Sequence, residues 1–421
     1  MNIYWGDIHG HSLYSDGSGD GRYSYEYARD SALLDFCALT DHLEIFPQIG
    51  EITLFGRFEE YLDLTNSFNE DGVFSTIIAA EWTPLLAPAR DYLCTQHMNF
   101  YFPRDEFPYF STFTEFTPDE VYEFLKEAGY EDFIAWTHHS TSDSYSSDFA
   151  FYDENINTMI EIYSCHGGSE FQGDRNLYPM VLEIDEQYSG YSVNDGFKMG
   201  RKFGIMASSD THDGRMGHTL LHNEVRTLLG GPETIVGYKG GIQYHGGLTA
   251  VITENLTRQQ IFSSLKTKSA YASTWVNRPI LNFSIDGLTV GINDSTLIVP
   301  SVDTPRNISV FVAIDGVSLT PNHQKNIHKI EIFKNSVLWH EETVNSFAFQ
   351  DVLQDSINIT GTSYEGCIQK DDDNWYIHER SIKPVDPLTL NTNGEDYYYL
   401  RVTDTDGGAA WVGPIWVRAV T

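Results

Sequence analysis

Gly6-Asp7-Ile8-His9-Gly10-His11-Ser12 is the most informative segment of this 421-residue chain, because two histidines follow a short strand-like run over residues 2–8. Side chains alternate from one face to the other along an extended strand. The imidazoles of His9 and His11 therefore project to the same side and can reach one ion. A single His-x-His pair is more often coincidence, so its meaning depends on what the rest of the chain supplies.

Five further apolar runs end in the same kinds of residue. They are followed by Asp41-His42, Glu81, His138-His139, Cys165-His166 and Asp210-Thr211-His212. The carboxyl ends of barrel strands are where a (β/α) barrel gathers its catalytic residues. Imidazoles and carboxylates without a set of thiolates suit Zn, Mn or Fe better than Ca or Mg. The six strand ends together predict a metal site, in which a carboxylate such as Glu81 could bridge two ions roughly 3.5–4 Å apart.

Two patterns of sequence meet near residue 280. Before it, apolar runs at 75–82, 132–137, 158–164 and 202–208 alternate with helices whose N-caps are Thr117 and Thr257, as in repeated strand-helix units around a parallel sheet or barrel. After it, residues 307–315, 329–340, 397–404 and 410–418 show the alternation of antiparallel strands, with an Asp406-Gly407-Gly408 turn between the last two. The pattern predicts an α/β domain over 1–278 and an antiparallel β-sandwich over 279–421.

Charge and composition narrow the classes of function. Lys and Arg number 26 against 60 Asp and Glu, a formal net charge of −34, which disfavours nucleic-acid grooves and anionic membranes. An anionic small-molecule substrate would have to meet concentrated positive charge, for which a metal cluster is the obvious source. The four cysteines have neither zinc-ribbon nor disulfide-framework spacing. The sequence shows no secretory leader and no apolar stretch of about 18 residues, so we expect a soluble cytoplasmic protein.

The ordered strand-end motifs resemble those of the PHP (polymerase and histidinol phosphatase) family over residues 1–278. Ser15-Asp16-Gly17 is part of the same set, and the segments 161–170, 246–251 and 269–274 are similar to an uncharacterised branch of that family, as is the tail around 398–416. The resemblance implies a distorted (β/α)7 PHP barrel followed by the β-sandwich, a trinuclear site of two to three divalent transition metal ions, and hydrolysis of phosphate esters.

The resemblance also implies a ligand set. The first ion would be held by His9, His11, Glu81 and Asp210; Glu81 would bridge to a second ion held by His138 and His166; the third would be held by Asp16, His42 and His212. Cys165 is an alternative to His166, and His166 is favoured because it matches the tyrosine-serine-x-histidine pattern of the branch. His139 would then lie behind the ligands or face the substrate.

The expected chemistry is attack on phosphorus by a hydroxide that bridges two ions, with Glu81, Asp210 and His212 nearest to it. Asp41 would orient an imidazole by accepting its proton. His97, next to Cys94, is a lid or substrate candidate. Arg22, Arg175 and Arg215 would grip substrate oxygens or remain solvated, whereas Asp7, Asp20, Asp30 and Asp213 are predicted to be solvated loop carboxylates.

Three functions stay open from the sequence. The favoured one is cleavage of phosphate mono- or diesters. The second is hydrolysis of sulfate esters, or of another ester or amide, at the same metals. The third is a non-catalytic role in which the metals are structural and the sandwich binds a sugar or a protein, although Trp411 and Trp416 are predicted to pack in the core or between domains.

Overall fold

The computed structural model describes residues 1–43, 57–83, 97–110, 117–141, 149, 151–171, 190–217, 246–274, 278–318, 323–371, 374–377, 387–392 and 394–420. Within these ranges the protein is a mixed α/β structure that is rich in sheet and has few helices. No helix in the described ranges is both long enough and apolar enough to cross a bilayer.

The N-terminal part, residues 1–274, contains eleven described strands and five described α-helices. The strands are β1 Asn2–Asp7, β2 Phe36–Cys37, β3 Ser75–Thr76, β4 Ile78–Trp82, β5 Met98–Phe102, β6 Ile134–Thr137, β7 Met159–Ser164, β8 Gly167–Gly168, β9 Gly204–Ala207, β10 Gly247–Thr253 and β11 Ala270–Thr274. The helices are α1 Gly21–Glu26, α2 Phe58–Phe68, α3 Pro118–Glu127, α4 Val193–Lys198 and α5 Arg258–Lys266, and a π-helical turn, Tyr27–Ser31, continues α1.

The two helices predicted from their caps are confirmed. The Thr117 hydroxyl accepts from the backbone N–H of Glu120, and the Glu120 carboxylate accepts from the Thr117 amide. Helix α3 therefore begins with a full capping box. The Thr257 hydroxyl caps α5 by accepting from the backbone N–H of Gln260. Both helix starts are therefore fixed by residues within one turn of the cap.

The described residues of the C-terminal part, from 280 to 420, form mostly strands, with one 3-10 helical turn at Asn293–Ser295. The strands are β12 Ile280–Ile285, β13 Leu288–Thr289, β14 Thr296–Val299, β15 Arg306–Ala313, β16 Ile327–Lys334, β17 Val337–Ser346, β18 Ala348–Asp355, β19 Ser363–Asp371, β20 Asn374–Ile377, β21 Pro387–Asn391, β22 Asp396–Asp404 and β23 Ala409–Ala419. The predicted hairpin is present, because β22 pairs antiparallel with β23. A second hairpin joins β16 to β17 across the Asn335-Ser336 turn.

The largest sheet crosses the boundary between the two parts. Its strand order is β17-β16-β22-β23-β11-β10-β1-β2-β3, with β14 paired to β23. The junction is the antiparallel pair β11–β23, in which Ala272 lies opposite Trp411. One sheet therefore contains strands from both sides of the change in sequence pattern near residue 280.

The remaining strands form four smaller sheets, ordered β13-β12-β15-β18, β20-β19-β21, β4-β5-β6 and β8-β7-β9. In the N-terminal part, β1-β2-β3 and β7-β9 are parallel, whereas β4-β5-β6 and β1-β10-β11 are antiparallel. The described strands and helices therefore do not confirm the expected (β/α)7 barrel, nor do they confirm a β-sandwich.

Apolar packing joins the two parts. One buried cluster contains Phe197 from α4 together with Tyr397, Tyr399 and Trp411 from the last two strands. Trp411 and Trp416 are both 1% exposed, as the packing prediction requires. Their burial removes them from any sugar-stacking surface.

Candidate metal centre

The end of β1 is joined to residues 209–212 by backbone hydrogen bonds. The amide of Asp210 donates to the His9 carbonyl at 2.9 Å, and the amide of His11 donates to the Thr211 carbonyl at 2.7 Å. Gly10 fits between them because it lacks a side chain: a Cβ there would overlap the Met216 thioether. This junction places both imidazoles beside the Asp210 carboxylate.

His9 and His11 lie between two carboxylates. Their Nε2 atoms are each 3.2 Å from Asp210 Oδ1, and they are 3.4 and 3.3 Å from Glu81 Oε2. On the far side of Glu81, His138 Nε2 lies 3.4 Å from Oε1. The structure thus brings four of the six strand ends to one point.

The remaining two strand ends lie at the same cluster. His42 Nδ1 is 3.5 Å from Glu81 Oε1, and His166 Nε2 is 2.9 Å from Asp210 Oδ2. Asp16 contributes Oδ2 at 3.3 Å from His212 Nε2. All nine residues of the predicted ligand set are thereby brought together, although their roles as ligands stay a prediction.

The ligand atoms of this cluster fall into small groups that could each hold an ion, with the members of a group within 4.8 Å of one another. The groups are His9, His11 and Asp210; His9, Glu81 and His138; His11, Asp16, His42 and His212; and His97, His138 and His139.

One edge of the cluster is more open than the rest. The side chains of His42 and His212 are 13% and 10% exposed, whereas those of His9 and Glu81 are at most 1% exposed. Among the nine candidate ligands, His42 and His212 therefore have the most exposed side chains.

Several buried ligand atoms have no hydrogen-bond partner within the described part of the chain. They are Nε2 of His9, Nδ1 of His11, both ring nitrogens of His138, Oε2 of Glu81 and Oδ1 of Asp210. Native proteins rarely leave buried polar atoms unsatisfied, and such atoms often mark an ion. These nitrogens and oxygens are the donors that divalent transition metals bind, so the residues fit such ions.

The protonation states of the carboxylates suit metal binding. Burial alone would raise the pKa of Glu81, but the imidazoles of His42, His138 and His97 hold it well below its usual range. Burial also opposes ionisation of Asp210, yet His9 and His166 keep its pKa well below the ordinary value. Both carboxylates are therefore ionised.

The histidines divide into two classes. Burial lowers the pKa of His138 to about 3 and that of His42 to about 4, so both rings are neutral, the form that binds metals. The pKa of His9 and of His11 is raised well above the usual value, because the nearby carboxylates outweigh burial. A divalent cation would balance the same carboxylates in place of those two protons.

Glu161 is a site residue that the sequence reasoning did not assign. Its Oε2 is 2.8 Å from His9 Nδ1, and both side chains are buried. By accepting a hydrogen bond from Nδ1–H, Glu161 would leave Nε2 of the neutral His9 ring available to bind an ion. The signal available in the sequence was an acid within the otherwise apolar run 159–163.

Asp41 does not hold an imidazole in the described structure, contrary to expectation. Its carboxylate accepts from the Ser12 amide at 2.7 Å and from the hydroxyls of Ser12 and Ser15 at 2.8 and 2.6 Å. Asp41 therefore fixes the loop that presents Asp16.

The prediction that Asp7 is a solvated carboxylate is wrong. Asp7 is fully buried and accepts from the amides of Ser209 and Gly217 at 3.0 and 2.7 Å. It ties the end of β1 to the segment that carries Asp210 and His212.

His97 and His139 border the cluster. His97 Nδ1 is 2.6 Å from Glu81 Oε1, and the His139 ring centre lies 5.2 Å from that of His97. His139 and Asp210 adopt positive φ angles, 35° and 52°, a strained conformation for these residues that occurs preferentially at functional sites. Burial holds the pKa of His139 well below its usual value, so its ring is neutral.

The arginine candidates are not gathered at the cluster in the described residues. Arg22 is exposed, with its guanidinium 5.6 Å from the Phe68 ring centre, and Arg215 is paired with Asp213. Arg175 and Cys94 lie outside the described residues.

Cys165 directs its thiol away from the ligand atoms. Its Sγ donates to the Asp210 carbonyl at 3.2 Å, while the neighbouring His166 imidazole meets the Asp210 carboxylate. The choice of His166 over Cys165 as a metal ligand stays a prediction.

Comparison with known proteins gives relatives of unassigned activity. No family model matches the chain. Proteins from Chlamydia pneumoniae and Chlamydia trachomatis, both named only as uncharacterized, are 25% and 24% identical over 426 and 423 residues, covering 99% of this chain. The chain spans 57% of the length of these relatives. A crystal structure from Bacteroides vulgatus, described as a two-domain protein containing a predicted PHP-like metal-dependent phosphoesterase, is 14% identical with a TM-score of 0.40, over 93% of this chain and 95% of that one.

Proposed function

We propose that this chain is a metal-dependent hydrolase that cleaves phosphate mono- or diesters of small anionic substrates. The observation that carries the proposal is the overlap of the candidate ligand groups. His11 belongs both to the Asp16 group and to the Asp210 group, and His9 belongs both to the Asp210 group and to the Glu81 group. Ions held by these groups would be neighbours, as in multi-metal hydrolytic sites.

The proposal assigns three ions, of zinc, manganese or iron, to the nine ligands already described. His166 would complete the group around Glu81 and His138. Ions bound there would supply Lewis acidity and an activated water at neutral pH. We also propose that a distorted barrel over residues 1–278 carries the site and that an accessory β-sandwich over residues 279–421 supports it.

The residues of the chain itself hold and orient this site. Glu161 keeps the proton of His9 on Nδ1, and Asp41 fixes the loop that carries Asp16. His139 is a neutral imidazole beside the ligands, suited to hydrogen-bond an oxygen of the ester. His97 shields the Glu81 carboxylate on the side of β5.

The negative charge of the chain is compatible with an anionic substrate only if metal ions are bound at the site. The chain carries a net charge of −34, Arg215 is committed to Asp213, and Arg22 lies on the surface over Phe68. The proposal therefore gives the neutralisation of the phosphate oxygens to the ions.

The test is a panel of substrates offered to metal-free protein reconstituted with Zn²⁺, Mn²⁺ or Fe²⁺. Phosphate mono-, di- and triesters and sulfate esters are compared, with chelator-treated protein as the control. We expect metal-dependent cleavage of a phosphate mono- or diester. Cleavage of sulfate esters alone would move the assignment to a sulfatase, and tight metal binding without any hydrolysis would favour a structural role.

A further inference from the structure

His166 lies in a two-residue hairpin turn. Ser164 of β7 pairs with Gly167 of β8, so Cys165 and His166 form the turn itself. β8 contains only two residues, and Gly167 completes the turn with a φ of 107°. A hairpin this short has little stability of its own. The position of His166 therefore depends on two supports: the Cys165 amide, which donates to the Ser209 carbonyl at 3.0 Å, and the contacts that hold the chain after β8.

The chain after β8 is held at Ser169, whose amide donates to the Ile162 carbonyl at 2.8 Å, and at the side chain of Glu170, four residues after His166. Its Oε1 accepts from the Tyr399 hydroxyl at 2.9 Å, and its Oε2 accepts from Arg401 Nη1 at 2.9 Å and from Trp411 Nε1 at 3.0 Å. All three donors come from β22 and β23. The C-terminal part of the chain thus anchors the segment that carries His166.

Arg401 is itself held in one orientation. Its Nε and Nη2 atoms donate to the two carboxylate oxygens of Glu331 in β16, both at 2.9 Å, which makes the ion pair bidentate. The Arg401 side chain is 1% exposed. The Phe333 ring lies 4.6 Å from the guanidinium carbon. A planar guanidinium fixed on one edge can present its remaining N–H groups in only one direction. Arg401 therefore sets where the Glu170 carboxylate sits.

We propose that Arg401 is a positioning residue for His166 and acts through Glu170. Its contact fixes the end of the β7–β8 hairpin, so that His166 Nε2 stays 2.9 Å from Asp210 Oδ2. The inference rests on the proposed function only in treating His166 as a metal ligand. The C-terminal part then contributes to the metal centre without supplying a ligand.

The alternative is that Arg401 merely stabilises the fold, and the chain provides a matched control for this. Arg306 of β15 is equally buried and pairs with Asp355 at 2.8 Å, without a described contact to the ligand cluster. Tyr398 and Tyr399 are adjacent and buried, and each donates its hydroxyl to a carboxylate. Tyr398 donates to Asp355 at 2.6 Å, whereas Tyr399 donates to Glu170.

The first measurement is a titration of the metal-free full chain with Co²⁺, followed by visible absorption. Residues behind metal ligands typically change metal affinity by about 10-fold to 100-fold. We expect Arg401→Lys to weaken binding at the His166 position about 10-fold, at the lower end of that range. We expect a smaller loss of the same kind for Tyr399→Phe. Arg306→Lys and Tyr398→Phe should leave the affinity within the error of the titration, even where they lower the melting temperature.

The second measurement is hydrogen–deuterium exchange over residues 164–170, which needs neither metal nor activity. The proposal requires faster exchange of this segment in Arg401→Lys and Tyr399→Phe than in their two controls. Equal exchange in both pairs, or equal cobalt affinity in both pairs, would overturn it. Should the wild type bind Co²⁺ but hydrolyse nothing, the proposed function fails and the affinity comparison still decides; should it bind no Co²⁺, the exchange comparison decides. Tyr399→Phe keeps the ion pair intact, so the test survives if Arg401→Lys does not fold.

Discussion

Replacing Glu161 by Gln should weaken metal binding without removing a metal ligand. The substitution keeps the shape of the side chain and an oxygen that can accept from His9 Nδ1, but it removes the negative charge. In the structure this contact is 2.8 Å long and entirely buried, so solvent does not screen the loss. We expect the effect to pass mainly through His9, because the hydrogen bond from Glu161 to the ligand cluster is made to that ring.

The magnitude follows from the class of hydrogen bond. A bond to a charged partner contributes about 1.5–3 kcal/mol and a neutral one about 0.5–1.5 kcal/mol, so the change removes about 1–1.5 kcal/mol. At 1.36 kcal/mol per factor of ten, this corresponds to roughly a tenfold weaker metal affinity.

The assay is a competition titration of Zn²⁺ against a chromophoric chelator, carried out on four proteins: wild type, Glu161→Gln, His9→Ala and the double variant. We expect Glu161→Gln to matter only when His9 is present, giving a coupling energy close to the whole effect of the single substitution. An unchanged affinity for Glu161→Gln would refute the reasoning. An equal loss in the His9→Ala background would show that Glu161 acts by another route.

Three further predictions follow from the fold and the site. Glu81→Gln should lower turnover by orders of magnitude with the fold retained, whereas His139→Ala should be milder in both metal content and rate; the reverse order, measured by elemental analysis and kinetics, would exchange their roles. Burial would raise the pKa of Asp355, but mainly the hydrogen bond from Lys334 lowers it from 3.8 to about 2. The contribution of this carboxylate to the stability of the fold is therefore complete above about pH 4 and is lost as the pH falls through 2. Urea unfolding from pH 5 to 2 should therefore show a steeper loss for the wild type than for Asp355→Asn, by about 2 kcal/mol at most. Removing residues 280–421 should lower the melting temperature and the solubility at constant metal; an unchanged midpoint would mark the C-terminal part as an independent module.

The features that could be predicted from the sequence are local ones. The capping box of Thr117 and Glu120 involves residues three apart, and some of the ligand-type residues lie in or directly after a strand, as Glu81 does in β4 and His138 after β6. Asp16 follows no strand end, so the full set of nine candidates also depends on the resemblance to the PHP family, and the expected barrel is not confirmed.

The errors have physical causes that sequence neighbours do not reveal. The sequence suggests that Asp41 contacts an imidazole, because it adjoins His42. Successive residues of an extended chain point in opposite directions, however, and Asp41 accepts hydrogen bonds from Ser12 and Ser15 instead. Asp7 is buried because amides more than 200 positions away donate to it. Glu161 meets His9 across 152 positions. Alternation predicts a strand at β23, but it indicates neither that both faces are buried over Ala409–Val417 nor that the partner is β11.

The β11–β23 pairing has a consequence for synthesis on the ribosome. Strand β11 is complete at Thr274, but its partner begins only at Ala409, 409 − 274 = 135 residues later. At roughly 5–20 residues per second, the nascent chain waits about 7–27 seconds with this strand edge unpaired. An open edge can pair with another chain, so slow translation of the C-terminal part should favour aggregation and fast translation should favour yield. The N-terminal strands β1, β10 and β11 would acquire the neighbour that extends their sheet only when β23 has been made.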